Sequence, residues 1–333
     1  MRKHFLIHLL SASVALALLG GCSSGSGVAP GPVSPQGAAL SLSDQHFASH
    51  FSCPASGPLE YVSDGFKNVI HVYAGNFAGQ SPCGEITKKL SHPSGLFVQP
   101  KTHDLYVANQ GSSTIEVFHR GQTSPSNQYE DPTRQHTFDV TIATDGTVIA
   151  SNILSRGEEA GSLSTWRGGP NGGTFVGNFP FGNGSGGGTG LFVTVKKNGT
   201  VYFDEFNCTT KCGELWSLSC PMGVCGVQTQ VAGVAFNNPG GLAIDAHGDL
   251  LVTDSGPGAA ETFHLPNPTP STFPLLGSPF GMAINRQNKH WFVADEANQD
   301  AAEYSYPSGR LIGTVPCCSG GDVLGIAVDS MSP

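Results

Sequence analysis

The fold class this sequence predicts is all-β, a closed six-bladed β-propeller. Three observations carry that expectation. A two-strand unit, Gly241-Leu-Ala-Ile-Asp245 followed by Leu250-Leu-Val-Thr-Asp254, recurs along the chain. The Asp or Asn that ends each copy falls at Asp64, Asn109, Asn152, Asp204, Asp254 and Asp295, a spacing of roughly 40–50 residues, the length of one four-stranded blade. The sixth copy is divided between the chain ends: Gly325-Ile-Ala-Val-Asp329 supplies its first strand and Tyr61-Val-Ser-Asp64 its second. Pairing the last strand with the first blade turns a row of sheets into a ring. It also removes the open strand edges that such a row would expose to aggregation.

Before the repeats, Arg2 and Lys3 precede the apolar run Phe5–Leu19, and Leu19-Gly20-Gly21-Cys22 follows. A charged start, a short apolar core and small residues at a cut site read as a secretory signal over 1–21, too short for a membrane-spanning helix. Cysteine directly after Leu-Gly-Gly resembles the bacterial lipobox. That resemblance implies cleavage before Cys22, thioether lipidation of its sulfur, and a membrane partner through the lipid. Several acyl chains on one residue give lasting anchorage where one chain gives marginal binding. The expected address is the bacterial cell envelope, facing the periplasm or the exterior. Residues 22–42 are mostly Ser, Gly, Pro and Ala, a composition that buries no core and behaves as a flexible tether.

Residues 43–333 form the expected propeller. Short runs rich in Val, Ile, Leu, Phe and Tyr alternate with Gly/Asn/Asp turns, which favours strands over helices. The first two strands of each unit pair Gly95–Gln99 with Leu105–Asn109, Asp139–Ala143 with Val148–Asn152, Gly190–Thr194 with Val201–Asp204, and Gly281–Asn285 with Trp291–Asp295. Third strands are expected at Asn68–Tyr73, Ser113–Phe118, Gly161–Trp166, Gly213–Leu218, Ala260–His264 and Ala301–Tyr306. More polar fourth strands follow, as at Val227–Val231 and Leu311–Val315.

The recurring order, Pro-x-Gly-Leu-Ala-Val-Asp, then Gly-x-Leu-Tyr-Val-Ala-Asp, then Val-x-Val-Phe, resembles that of NHL-repeat propellers and the related SMP-30/gluconolactonase-like superfamily. The resemblance covers about residues 59–333 and implies a fold, not an activity, because that fold hosts lactonases, lyases and pure binding proteins. The lactonases hold a divalent cation with a Glu from an early E-G-P motif, an Asn before Gly, and a late Asp. This chain has no E-G-P, and Asn171, Asn183 and Asn198 lie in loops, so no catalytic residue carries over. The amidating lyases of this fold bind zinc through histidines. Here His92 opens a His-Pro-Ser-Gly turn, while His71, His103, His119, His136, His247, His264 and His290 are scattered.

The chain carries 16 Lys+Arg against 25 Asp+Glu, net −9, and offers no basic face to nucleic acid. Of nine cysteines, eight remain beside Cys22, an even number that points to disulfides in an exported protein. In a propeller the 2–3 and 4–1 connections lie on one face, here the top, and the 1–2 and 3–4 turns on the other. That groups Cys208 with Cys212, Cys220 with Cys225, Cys53 with Cys83, and Cys317 with Cys318. Each short loop contributes about 2–3 kcal/mol on the chain-entropy account. The rival is a zinc site from Cys208, Cys212, Cys220 and Cys225, with loose spacing and the pairs at opposite ends of one strand.

The acids that end the second strands should crowd the top face. One reading gives each an Asx-type role, accepting N–H bonds from the following turn. The other makes them oxygen ligands of a hard divalent cation such as calcium at the axial channel. Binding candidates are therefore His92, Asp139, Asp204, Glu205, Asp254, Asp295 and Glu296, with Asp139 replacing a glycine near the axis. Gly182-Asn-Gly-Ser-Gly-Gly187 matches a phosphate-loop pattern by letter, but a strand rather than a helix is expected after it, so it lacks the dipole that would hold phosphate. The expectation is a monomeric binding or scaffold lipoprotein with an envelope protein, peptide or glycan as partner. The alternative is a metal-dependent SMP-30-type lactonase, hydrolase or lyase.

Overall fold

The computed structural model describes residues 51–330, apart from 76–78, 154–160, 170–171, 185–188, 208–210, 266, 268, 276 and 319–320. The signal segment, Cys22, the tether and Cys208 lie outside the described residues, as does the side chain of Cys212. Six four-stranded antiparallel sheets make up the fold. Blade 1 joins Val323–Asp329 to Leu59–Asp64, Val69–Ala74 and Gly84–Ile86. Blade 2 runs Pro93–Val98, Leu105–Asn109, Thr114–Phe118 and Asn127–Glu130; blade 3 runs Thr137–Ile142, Thr147–Asn152, Ser162–Arg167 and Thr174–Pro180. Blade 4 is Val193–Val195, Thr200–Asn207, Lys211–Ser219 and Thr229–Gln230. Blade 5 is Pro239–Ile244, Leu250–Asp254, Ala259–Phe263 and Ser271–Pro274, and blade 6 is Pro279–Ile284, His290–Asp295, Asp300–Ser305 and Leu311–Pro316.

The closure matches the sequence expectation. Tyr61 pairs with Ala327 and Val62 with Ile326, and after a bulge Asp64 pairs with Val323. A clamp locks the far end: the Asp329 carboxylate, 1% exposed, receives Arg120 and lies 2.7 Å from His103 Nδ1. The same guanidinium donates from Nη2 to the Gly57 carbonyl at 2.6 Å, so blade 2 grips both chain ends.

The second strands are apolar nearly throughout because neighbouring blades cover both faces. Leu105 and Val107 pack into the cluster shared with blade 1, whereas Tyr106 and Ala108 pack against Val140, Val148 and Trp166 of blade 3. Side chains alternate faces with period two, and here both faces are core. Hydroxyls stitch blade to blade where the stacking is closest. Ser63 Oγ donates to Ser94 O, Ser94 Oγ to Phe138 O, Ser151 Oγ to Leu191 O and Thr253 Oγ1 to Phe280 O, all at 2.6–2.7 Å.

Three strand expectations shift. Inner strands of blades 2, 5 and 6 start at the proline, two residues before the glycine. In blade 4 the fourth strand shortens to Thr229–Gln230, and the inner strand to Val193–Val195 instead of Gly190–Thr194. The blade 4 register also moves. Counted from the 1–2 turn, Val98 pairs Leu105 and Val195 pairs Val201, so the fifth second-strand position is Asn109 in blade 2 and Glu205, not Asp204, in blade 4.

Among the described residues three disulfides form: Cys53–Cys83, Cys220–Cys225 and Cys317–Cys318. Cys220 and Cys225 bond each other, so they are not thiolates for the alternative zinc site. Among the described residues no helix is long and apolar enough to cross a membrane.

Candidate functional site

The axis is narrow because inner strands touch at glycine. A Cβ on Gly241 would strike Met282 N; one on Gly281, Leu324 O; one on Gly325, Ser94 O; one on Gly95, Asp139. Each of these positions faces the next blade, with no room for a side chain. Blade 3 is the exception, since blade 4 offers only a three-residue inner strand. There the Asp139 carboxylate fills the gap and accepts the Val193 N–H at 3.0 Å. Asp204 Oδ1 accepts the N–H groups of Leu191 and Phe192 at 3.0 and 2.6 Å. The two acids thus replace ladder bonds that the short strand cannot make.

Beside them, Phe138, Phe192 and Phe280 from blades 3, 4 and 6 meet edge to face, with centroids 5.1–5.9 Å apart. Rings from three blades, one of them not adjacent to the other two, fill that part of the axis.

The remaining ring acids hold backbone. Asp254 accepts N–H groups of Asn237, Asn238 and Gly256 at 2.9–3.1 Å. Asp295 accepts those of Ser278 and Asn298 at 2.9 and 3.2 Å, and Asn109 Oδ1 accepts that of Ser91 at 2.7 Å. These bonds reach both the following turn and the incoming connection, so each residue staples two top loops. Glu205 is buried at 2% exposure. Among the described residues no two ring acids share a three-ligand cluster, and nothing in the geometry supports calcium; the one such cluster joins the ring acid Asp64 to His71 and Cys318.

A polar group does assemble at the top beside the axis. His92 Nε2 lies 3.5 Å from Asp322 Oδ2, both side chains partly exposed. Asp322 belongs to the connection entering blade 1, and its carbonyl accepts the Gly65 N–H at 2.9 Å. Glu296, from blade 6, is pushed up to about 7 by burial and then by the nearby Asp322 and Asp295 charges. His92 adopts φ 52° immediately before Pro93, a left-handed conformation that is strained for a non-glycine residue. Its N–H is held by Asn68 Oδ1 at 2.5 Å. Next to Gly65, Phe66 is 73% exposed, and a Cβ on Gly65 would sit 3.3 Å from His92 Cε1. The structure therefore joins two sequence candidates, His92 and Glu296, and adds Asp322 and Phe66. Asp139, Asp204, Asp254 and Asp295 stand in the backbone scaffold instead. Asp322 carries a readable signal, a carboxylate three residues before the inner-strand glycine. Phe66 carries none beyond its type.

Buried acids make stability pH-dependent. Burial raises Asp139 from 3.8 to about 7, and burial with Glu303 raises Glu60 from 4.5 to about 8. Each keeps its proton in the folded chain at pH values where the unfolded chain has lost it. Stability therefore falls as pH rises from about 4 to 8, by up to about 1.4 kcal/mol per pH unit per group. Thermal melts are expected to show a higher Tm at pH 5 than at pH 8, and Asp139→Asn, which keeps an acceptor for Val193 N–H, should flatten the profile. A Tm that rises with pH across that window would overturn this assignment.

No family model matches the chain, and no curated protein matches it. Solved structures do. A chain of the nidogen/laminin complex is 13% identical, with TM-score 0.63 over 83% of this chain and 100% of that one. A functionally unknown protein from Desulfotomaculum acetoxidans is 14% identical, with TM-score 0.57 over 82% and 99%. A streptogramin B lyase is 12% identical, with TM-score 0.55 over 84% and 86%. At such identity the likeness establishes the fold alone, and the chain is a six-bladed β-propeller.

Proposed function

We propose that this protein is an envelope-anchored binding lipoprotein whose propeller presents its top face to a protein, peptide or glycan. The observation that carries the reading is the top mouth: Phe66 exposed beside a half-buried His92–Asp322 pair with Glu296. An exposed ring offers stacking area, and partly desolvated acids offer strong, directional acceptors. The ring acids below are engaged with backbone N–H groups, which supports a rigid platform rather than an axial reaction centre. A lipid on Cys22 would hold that platform at a membrane through the 22–42 tether.

The test is retention of lipidated protein on immobilised envelope glycan and on envelope proteins. Phe66→Ala or Asp322→Asn should weaken binding to the ligand by about 2 kcal/mol, the scale of an interface hot spot. Unchanged retention by both variants overturns the assignment of this face. In detergent phase separation Cys22→Ala should move the protein from the detergent to the aqueous phase.

One observation favours the second reading, a metal-dependent SMP-30-type lactonase, hydrolase or lyase. Glu296, raised to about 7 by burial and the nearby Asp322 and Asp295 charges, is suited to proton transfer. Turnover of a lactone panel with added Ca, Zn or Mn, abolished in Glu296→Gln, would establish it over the binding reading.

A further inference from the structure

The ligand-type cluster lies where the two chain ends meet, next to the mouth: Asp64 Oδ1 accepts the Asp322 N–H at 3.3 Å. Asp64 ends the second strand of blade 1, and His71 sits on its third strand. Cys318 belongs to the connection that brings the chain from blade 6 back into blade 1. A carboxylate oxygen, an imidazole nitrogen and a sulfur from these three lie within 4.8 Å of one another, and all three residues are buried. Asp64 and Cys318 are 0% exposed and His71 is 7% exposed.

The polar atoms here are under-used. Asp64 Oδ1 accepts the Lys67 N–H at 2.9 Å, but Oδ2 has no hydrogen bond and only the Lys67 ammonium at 3.5 Å. His71 Nε2 has no hydrogen-bond partner among the described residues, and Nδ1 has only the Glu85 carboxylate. Buried polar atoms left in this way carry a desolvation penalty unless something else satisfies them. His71 Nδ1 points toward Glu85 Oε1, 3.3 Å away. A carboxylate behind one ring nitrogen is the usual support for a histidine that ligates through the other, which leaves Nε2 for an ion. Lys67, with its side chain 42% exposed, already places a positive charge against Asp64 from the solvent side.

Cys318 is bonded to Cys317, and a disulfide sulfur is a poor ligand while a thiolate is a good one. Cys317 is the half-exposed member of the pair and Cys318 the buried one. We propose that Asp64, His71 and Cys318 form a thiol-gated site for a borderline divalent transition metal, with zinc as the best fit, closed while Cys317 and Cys318 are bonded and opened by a dithiol reductant. One thiolate of the dithiol attacks Cys317 Sγ, the Cys317–Cys318 bond breaks, and the electron pair leaves on Cys318 Sγ. The second thiolate of the dithiol then attacks the mixed disulfide. It takes the reductant to its own disulfide and releases Cys317, which gains a proton as a thiol. Cys318 emerges as a thiolate beside His71 and Asp64, and a mixed S/N/O set with water in the fourth position suits tetrahedral zinc. Because Asp64 and His71 come from one end of the chain and Cys318 from the other, the ion would tie the ring shut.

The experiment measures zinc stoichiometry and affinity, the near-ultraviolet spectrum with cobalt, and Tm with and without metal. Cys317→Ser frees Cys318 without any reductant, so the other disulfides stay intact. This variant is expected to bind one zinc, to show a thiolate-to-cobalt charge-transfer band, and to gain Tm with zinc. Oxidised wild type should do none of these. His71→Ala and Cys318→Ser, each in the Cys317→Ser background, should weaken zinc binding by more than about tenfold. If Cys317→Ser loses its near-ultraviolet circular dichroism, wild type reduced with a phosphine gives the same readings against a Cys318→Ser baseline reduced in the same way. Zinc bound equally well by oxidised wild type, or undiminished by Cys318→Ser, overturns the proposal, as does the absence of stoichiometric zinc in the folded, reduced protein.

Discussion

Deleting the segment from Val323 onward is expected to leave a chain that does not unfold cooperatively and that aggregates. The segment supplies the innermost strand of blade 1. Val323, Leu324, Ile326 and Ala327 are all buried, between blades 6 and 1 and against blade 2. Without it Leu59–Asp64 becomes a long apolar edge with unpaired backbone groups, the feature that recruits other chains. The clamp is lost as well, leaving Arg120 with an uncompensated charge that is largely buried. Two milder variants separate these effects. Ile326→Ala keeps the pairing but opens a cavity and should cost about 2–5 kcal/mol. Asp329→Ala leaves the apolar contacts but strips Arg120 and His103 of their partner, and should cost about 3–5 kcal/mol. Denaturant unfolding followed by circular dichroism reads all three. A truncated protein with a sharp transition and the wild-type midpoint would refute the closure as the source of cooperativity.

The second large effect is expected at Gly325. Its missing side chain lets blade 1 approach the Ser94 carbonyl and the Cα of Gly95, the latter 3.0 Å from where a Cβ would stand. These neighbours are backbone on the inner strand of blade 2 and have no rotamer to change. Gly325→Ala should destabilise by at least about 3 kcal/mol, the upper end of ordinary overpacking, and Gly325→Val should prevent folding. Gly226→Ala is the comparison, because a Cβ there meets only Ser219 O at 3.5 Å and should be nearly neutral. Equal Tm values for Gly325→Ala and Gly226→Ala would show that the inner strands can move apart, and the close-contact account of the axis would fail.

Much of this architecture is legible in the chain because its causes are local or repeated. Second strands such as Leu105–Asn109 are buried on both faces, so they appear as unbroken apolar runs, and the acid at their end marks the blade period. The split copy at Tyr61–Asp64 and Gly325–Asp329 is visible because one unit lacks its other half at each end. The disulfides Cys53–Cys83, Cys220–Cys225 and Cys317–Cys318 follow from which turns share a face. The shift that puts Glu205 where Asp204 was expected was hidden, because blade 4 shortens its inner strand and period-two alternation is silent about where pairing begins. The meeting of His92, Asp322 and Glu296 was hidden too. It joins blades 2, 1 and 6, and its geometry depends on how tightly glycine lets the inner strands close. The nearness of Asp64, His71 and Cys318 has the same origin: residues from opposite ends of the polypeptide become neighbours only when the ring shuts, an event set by packing between blades and by no pattern within one of them.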